Sequence, residues 1–161
     1  YSDDTWMFNA SLGVTPQRRT IDRKVGKLYA DTAMNMIDFQ PMIWMSWRKK
    51  EMRVSLNYNG NTRQPSLSDL MPLTDNSNPL YITRGNPDLK QMFSHNIRLN
   101  FQNSPKGISA NLGGQVEQNS VTQVMIYDVQ TGGRETYPVN INGNWNLFGG
   151  LAGGNVLDIS L

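Results

Sequence analysis

Apolar and polar residues alternate along most of this chain, and that period of two constrains the fold more than any other feature. Successive side chains of an extended strand point to opposite faces, so the alternation reads as strands with one greasy side and one wet side. It predicts strands at about 5–15, 37–49, 52–60, 93–103, 107–129, 134–151 and 156–161. Trp6, Phe8, Ala10, Leu12 and Val14 share a face of the first, and Phe39, Pro41, Ile43, Met45 and Trp47 a face of the second. Val54, Leu56 and Tyr58 follow, then Ile97, Leu99 and Phe101, then Ile108, Ala110, Leu112, Gly114 and Val116. In the sixth, Val139, Ile141, Trp145, Leu147 and Leu151 oppose Asn140, Asn142, Asn144 and Asn146.

Partners across a hairpin must face the same way, which gives the register a test. A turn at Lys50-Glu51 sets Trp47 opposite Val54, Met45 opposite Leu56 and Ile43 opposite Tyr58. A turn at Ser104-Pro105 sets Phe101 opposite Ile108 and Leu99 opposite Ala110. One at Thr131-Gly132 sets Val124 opposite Val139, Val116 opposite Leu147 and Leu112 opposite Leu151. Asp38, Arg48, Arg53, Arg98, Glu117 and Asp158 all fall on the polar phase. The expected fold is therefore all-β, an antiparallel meander of about seven strands.

Such a sheet has an uncharged apolar face with no helix to cover it, and a monomer rarely exposes so large a patch. Either a second sheet or lipid must cover it. Hydrophobic content is 38% and charge 17%, leaving an excess of uncharged polar residues and 14 glycines, which suits a hydrated lumen wall. Connections alternate between long (16–36, 61–92), moderate (near 128–137) and short (49–51, 103–106, 153–155), as the two rims of a membrane barrel do. Trp6, Trp47 and Phe101 lie toward the short turns, and Tyr58, Phe93 and Tyr137 toward the long loops, where interfacial girdles belong. Pro41 predicts a bulge or a rim in its strand. A net charge of +2 gives no footprint for nucleic acid, and the absence of cysteine excludes disulfides and thiolate metal sites. Residues 1–161 show no signal peptide, and with an abrupt start at Tyr1 they read as part of a larger protein.

The irregular segment 63–91 lies between two well-patterned strands. Pro65, Pro72, Pro79 and Pro87 restrict its backbone, Asp75, Asn76 and Asn78 can close Asx turns, and Gly85-Asn86 can reverse the chain. Leu70, Leu80 and Ile82 give it apolar groups to bury, so an ordered loop is expected rather than a disordered insert.

The run LNYNGNTRQPSLSDLMPLTDNSNPLYITRGNPDLKQMFSHNIRLNFQ resembles the barrel region of TonB-dependent outer-membrane receptors of the Bacteroides type. The resemblance rests on Arg63, Pro65, Ser66, then Asp69, Leu70, Pro72, then Asp75, Ser77, Pro79, Leu80, then Gly85, Asn86, Pro87, Leu89 and Lys90. It departs at Gln91-Met92, where the family has Pro-Glu. YDVQTGGRETYPVNINGNWNL is similar to the family's following hairpin, so the likeness covers residues 52–151. It implies a barrel of about twenty-two strands around a plug domain, working in active uptake. The chain then reads as a single partial barrel segment, 1–161, with neither plug nor signal peptide. The implied partners are outer-membrane lipid, a plug domain and the TonB system of the intact protein, and an unknown nutrient ligand. The implied location is the outer membrane of a Gram-negative cell, with segment 63–91 on the extracellular side.

Candidate ligand-binding residues in that loop are Arg63, Asp69, Asp75, Arg84, Asn86 and Asp88. The basic stretch RRTIDRKVGK (18–27) reads as a solvated external loop meeting lipopolysaccharide phosphates, or more sharply as a contact for an anionic ligand. Lumen-facing Arg53, Arg98 and Glu117 are expected to pair with the plug or with neighbouring strands. His95 is the only histidine and has a structural or rim role, and the Asp spacing matches no calcium loop. Catalytic residues, metal ligands and cofactors are not expected, so the chain is read as a non-enzyme. The competing reading is a soluble β-sandwich ligand-binding module, with glycans as a candidate ligand and with Trp6, Trp47 and Trp145 buried together.

Overall fold

Every second residue of the patterned segments faces the same way, and the strands form accordingly. The computed structural model describes residues 4–25, 28–71 and 74–153. Its elements are β1 (Asp4–Val25), β2 (Leu28–Lys49), β3 (Met52–Arg63), a one-turn α1 (Leu67–Leu70), β4 (Thr74–Asn78), β5 (Tyr81–Arg84), β6 (Met92–Asn103), β7 (Ile108–Gln118), β8 (Ser120–Tyr127), β9 (Arg134–Ile141) and β10 (Asn144–Gly153). Six strands form an antiparallel sheet in the order β1-β2-β3-β6-β7-β10. The rest build a four-stranded sheet, β4-β5-β9-β8, which contains one parallel pair, β5 with β9. The meander is thus continuous in space, but interrupted in sequence by the second sheet. The expected strand 156–161, with Asp158 and most of the turn at 153–155, lies outside the described residues.

The β2–β3 register is the expected one: Trp47 faces Val54, Met45 faces Leu56 and Ile43 faces Tyr58. Two registers differ by two residues. Phe101 pairs with Ala110 and Leu99 with Leu112, because a four-residue turn at 104–107 replaces the tighter one expected. Val124 pairs with Tyr137, Val116 with Trp145 and Leu112 with Gly149, because the hairpin tip is centred one residue earlier. A shift of two preserves every side chain's face, so the facing assignment is unaffected.

Rows of side chains cross the six-stranded sheet. Trp6, Trp47, Val54, Phe101, Ala110 and Leu151 form one; Ala10, Ile43, Tyr58, Ile97, Gly114 and Leu147 form another two rows on. Nothing among the described residues covers this face: Trp6 is 64% exposed and Trp145 73%, and Phe8, Leu12, Ile97, Leu99, Leu112 and Leu147 are exposed too. The Trp6 and Trp47 rings meet at 6.1 Å with a tilt of 39°, while Trp145 lies across the sheet on β10. The sandwich reading, which required the three to be buried together, is overturned. Buried apolar side chains are few among the described residues, and Leu70, Met71 and Leu89 all belong to the 64–91 segment.

The apolar band has the height of a membrane core. From Trp47 to Ile37 the strand runs about 34 Å at about 3.4 Å per residue. A tilt of about 40° reduces that to about 26 Å, against an outward-facing apolar band of about 25 Å in outer-membrane barrels. Beyond this band β1 and β2 do not become a loop, as 16–36 was expected to. They stay paired from Pro16↔Ile37 to Val25↔Leu28, each strand being 22 residues long, and project past the sheet.

The fifth and sixth expected strands each break in two. Asn119 adopts φ 56° and Gly143 φ 99°, left-handed conformations that bend β7 away from β8 and β9 away from β10 at the same level. The side chain of Asn142 accepts from the Asn119 N–H at 2.7 Å, and Asn140 Nδ2 donates to the Asn119 carbonyl at 2.8 Å, which fixes the bend. The hairpin tip therefore leaves the first sheet and enters the second. Tyr137 goes with it and is no part of the aromatic girdle.

Candidate functional site

Antiparallel order puts the three long connections on one rim and the two tight turns on the other. The tight turns touch: Ser104 N–H donates to the Glu51 carbonyl at 3.2 Å. On the opposite rim the 64–91 segment is fastened to the β8–β9 hairpin. Lys90 N–H donates to Asn140 Oδ1 at 2.7 Å and Asn140 Nδ2 returns a bond to the Lys90 carbonyl at 3.0 Å. Asn86 Nδ2 donates to the carbonyl of buried Pro138 at 3.0 Å, and Arg134 N–H to that of Leu80 at 2.9 Å. Arg84 forms an ion pair with Glu135 at 2.6 Å and lies over the Tyr137 ring, while Arg134 lies over Tyr81.

Local chemistry holds the segment's own turns. Ser66 caps α1, its hydroxyl accepting from Asp69 N–H. Asx turns close at Asp75 onto Ser77 N–H, at Asn78 onto Leu80 N–H and at Asn86 onto Asp88 N–H, each at 3.0 Å. Gly85 passes so close to the Met71 carbonyl that a Cβ has no room. Leu70 is buried as expected, but Leu80 is exposed; Met71 and Leu89 fill the loop core instead. At the hairpin tip Asp128 accepts from the Thr131 hydroxyl at 2.7 Å and from Gln130 N–H at 2.9 Å, and these bonds hold its carboxyl below the usual aspartate value.

Between the projecting β1, the end of β3, the α1 turn and β8 lies a cleft of about 350 Å³. Arg19, Arg63, Gln64, Ser66, Asp69 and Gln123 supply its polar wall, with Met92 and Val121 beside them. Arg19, Arg63 and Met92 continue the polar phases of their strands, so the cleft stands where the wet face meets the loop-side rim. Asp38, on the same face and only 9% exposed, accepts from Gln17 Nε2 and Gln64 Nε2, both at 2.6 Å. Gln17 Oε1 in turn accepts from Arg19 Nε and Nη2 at 3.3 and 3.2 Å.

Below the cleft the wet face is a wall of amides. A recess of about 600 Å³ is lined there by Asn57, Asn59, Asn96, Asn100 and Gln115, with Arg98 above the Phe148 ring at 5.5 Å. Phe148 lies flat over Gly113, where a Cβ would collide with the ring. Glu117 accepts from Gln115 at 2.9 Å and from the Ser120 hydroxyl at 2.8 Å. On the apolar side Tyr58 and His95 share a hydrogen bond at 3.0 Å, and Phe93 meets the His95 ring edge-on at 4.7 Å.

Of the six candidate residues, the structure brings Arg63 and Asp69 together in the cleft. Arg84 and Asn86 are engaged in fastening the segment to the hairpin, and Asp75 closes a turn. Asp88 is exposed after the Asn86 turn. Sequence reasoning named Arg19 only within the basic stretch 18–27, read there as a candidate anionic-ligand contact, and missed Gln64 and Gln123 as members of the cleft. Arg19 carried a signal, since it falls on the polar phase of β1 once the strand is extended past Pro16; Gln64 and Gln123 carried none.

A sheet with an uncovered apolar band of membrane height, an amide-rich opposite face and alternating rims is the wall of a transmembrane β-barrel. The chain belongs to the outer membrane protein β-barrel family, whose sequence model matches residues 8–154. It is accordingly an outer-membrane protein, and its apolar face is the lipid-facing one. No curated protein and no solved structure matches the chain.

Proposed function

We propose that this segment is part of a TonB-dependent receptor that takes up a nutrient ligand across the outer membrane. The observation that carries the reading is the folded cap. Two long connections are fastened into one four-stranded sheet over a polar cleft, with an amide-rich wall below it on the same face. Passive pores need a wide hydrated mouth, whereas a receptor needs an ordered surface that holds a ligand before passage. The motif residues from Arg63 to Lys90 support the same reading, since they build that cap. In this reading the cap is extracellular, the intact barrel encloses a plug, and Arg53 and Arg98 on the lumen face meet it. The segment binds and passes its ligand; it catalyses nothing.

The test is contact with TonB. The intact protein, purified in detergent from its own outer membrane, should retain the periplasmic domain of TonB on an affinity column. A closed, folded barrel that shows no such retention, in cells whose uptake ignores the proton-motive force, would remove the transport reading and leave the outer-membrane assignment intact.

A further inference from the structure

We infer that the cleft at the lumen mouth is a binding site for the oxyanion of a small polar ligand, a carboxylate or a phosphate ester, held by Arg63 and Arg19. The inference rests on the outer-membrane assignment and on the polar face lining the lumen; it does not require TonB.

Arginines beside carboxylates ordinarily pair with them, because the guanidinium fork matches a carboxylate. Here the nearby carboxylates are held by neutral donors instead. Asp69 accepts from the Ser66 hydroxyl at 2.6 Å and from Gln123 Nε2 at 3.1 Å. Asp38 accepts from two glutamine amides. Among the described residues, the Arg63 guanidinium makes no hydrogen bond or ion pair. Arg19 bonds, among the described residues, only to Gln17 Oε1, through Nε and Nη2, which leaves Nη1 open there.

The arrangement is also preorganised. The chain Asp38–Gln17–Arg19 orients one guanidinium from the buried carboxylate outward, and Gln64, bonded to both Asp38 and Gln91 Oε1, braces the wall beside the other. One oriented guanidinium, one open guanidinium and a single aspartate already bonded to neutral donors leave the cleft with a net positive charge. A volume of about 350 Å³ falls at the small end of ligand sites, about 300–1,000 Å³, which fits a single sugar-sized unit. Asp69 and Gln123 then offer acceptors and a donor for hydroxyls flanking the anion.

Titration of the intact, detergent-purified protein by calorimetry tests this with D-glucuronate, inorganic phosphate and D-glucose as probes. Saturable binding of glucuronate or phosphate is expected, with glucose at least tenfold weaker. Arg63→Gln and Arg19→Gln should each weaken the anion about tenfold to a hundredfold, the usual cost of a charge-assisted bond. Arg18→Gln, on the opposite phase of the same strand, should leave it within about twofold, as screened surface charge predicts. Whichever anion binds more tightly identifies the ligand's source, carboxylate or phosphate. Equal binding of glucose and glucuronate, an equal loss in all three variants, or no saturable anion binding by folded protein would each overturn the site. None of these outcomes bears on retention by TonB, so the two readings fail separately.

Discussion

The Thr62 side chain takes over a backbone ladder for Phe39: its hydroxyl accepts from the Phe39 N–H at 2.9 Å and donates to the Phe39 carbonyl at 3.0 Å. The cause lies two residues away. Pro41 has no N–H, and the β2–β3 pairing ends at Met42↔Asn59. The proline ring sits against Gly60, where a Cβ would meet its Cγ at 2.7 Å. Thr62→Val keeps the shape and removes both bonds, leaving the part-buried N–H and carbonyl of Phe39 short of partners. It should cost about 1–3 kcal/mol in urea titrations of the intact barrel in lipid vesicles. Thr62→Ser should recover most of that loss; a valine variant as stable as the parent would show that the bridge contributes nothing.

Depth in the membrane should be readable from arginine substitutions. Ile97 and Leu99 lie in the interior rows of the apolar band, Val54 in the row of Trp47 and Phe101 at its edge. Ile97→Arg and Leu99→Arg should destabilise the inserted barrel by about 2–4 kcal/mol, and Val54→Arg by about 0–1 kcal/mol. Ser55→Arg and Asn100→Arg point into the hydrated lumen and should fall below the interior pair. Folding titrations in vesicles rank the five variants, and equal costs on both faces would refute the facing assignment.

The parts of this fold that were legible from sequence are those fixed by side-chain parity. Trp47↔Val54, the polar phase of Arg98 and Glu117, and the uncovered apolar face all follow from a period of two, and survive register slips of two residues. Turn centres were less legible, because Ser104–Gly107 and Asp128–Gly133 each hold several residues able to turn. The extension of β1 and β2 past Pro16 was hidden because charged Arg18 and Arg19 stand outside the lipid band, where no apolar face is needed to keep a hairpin paired. The cleft was half legible. Arg63 and Asp69 lie in a recognisable loop, but Arg19 and Gln123 reach them only through the projection of β1 and the bend at Asn119. Apolar residues resume the same phase beyond Asn119 (Val124, Ile126) and beyond Gly143 (Trp145), so each bend read as a weak point within one strand and the second sheet could not be read ahead.

Acid should loosen the β8–β9 tip before the barrel. The Asp128 carboxyl is held below the ordinary aspartate value, chiefly by the Thr131 hydroxyl and then by Gln130 N–H. A depressed folded-state pKa contributes stability above the unfolded value, and that contribution is lost as pH falls through the folded one. Amide exchange at Gln130 and Gly132 should therefore accelerate, relative to intrinsic rates, only below about pH 4. Asp128→Asn removes the titrating group and should abolish this acid step while keeping an Asx-type acceptor. An acid step of the same size in the asparagine variant would assign it to another group.

The 64–91 segment should resist protease for a reason that single substitutions can separate. Arg84 and Lys90 offer trypsin two sites, yet both residues are fastened to the hairpin, one through Glu135 and one through Asn140. Cleavage requires local opening, so its rate follows the population of the opened state. Gly85→Ala forces a Cβ into the Met71 carbonyl and should raise that population by about tenfold or more, in line with an overpacking cost of about 1–3 kcal/mol. Asn140→Ala removes the paired bonds to Lys90 together with the bond to the Asn119 carbonyl, so it should speed cleavage at Lys90 and exchange at the bend alike. Gly132→Ala serves as the control: its Cβ meets nothing within 4 Å, and its strain at φ 68° is confined to the tip. Limited trypsin digestion of the intact protein in whole cells gives the order. Slow cleavage in the parent, fast cleavage in the first two variants and parental rates in the third are expected. Rapid cleavage of the parent at Arg84 would mean that the cap is open in the membrane, and that the interlock does not hold it.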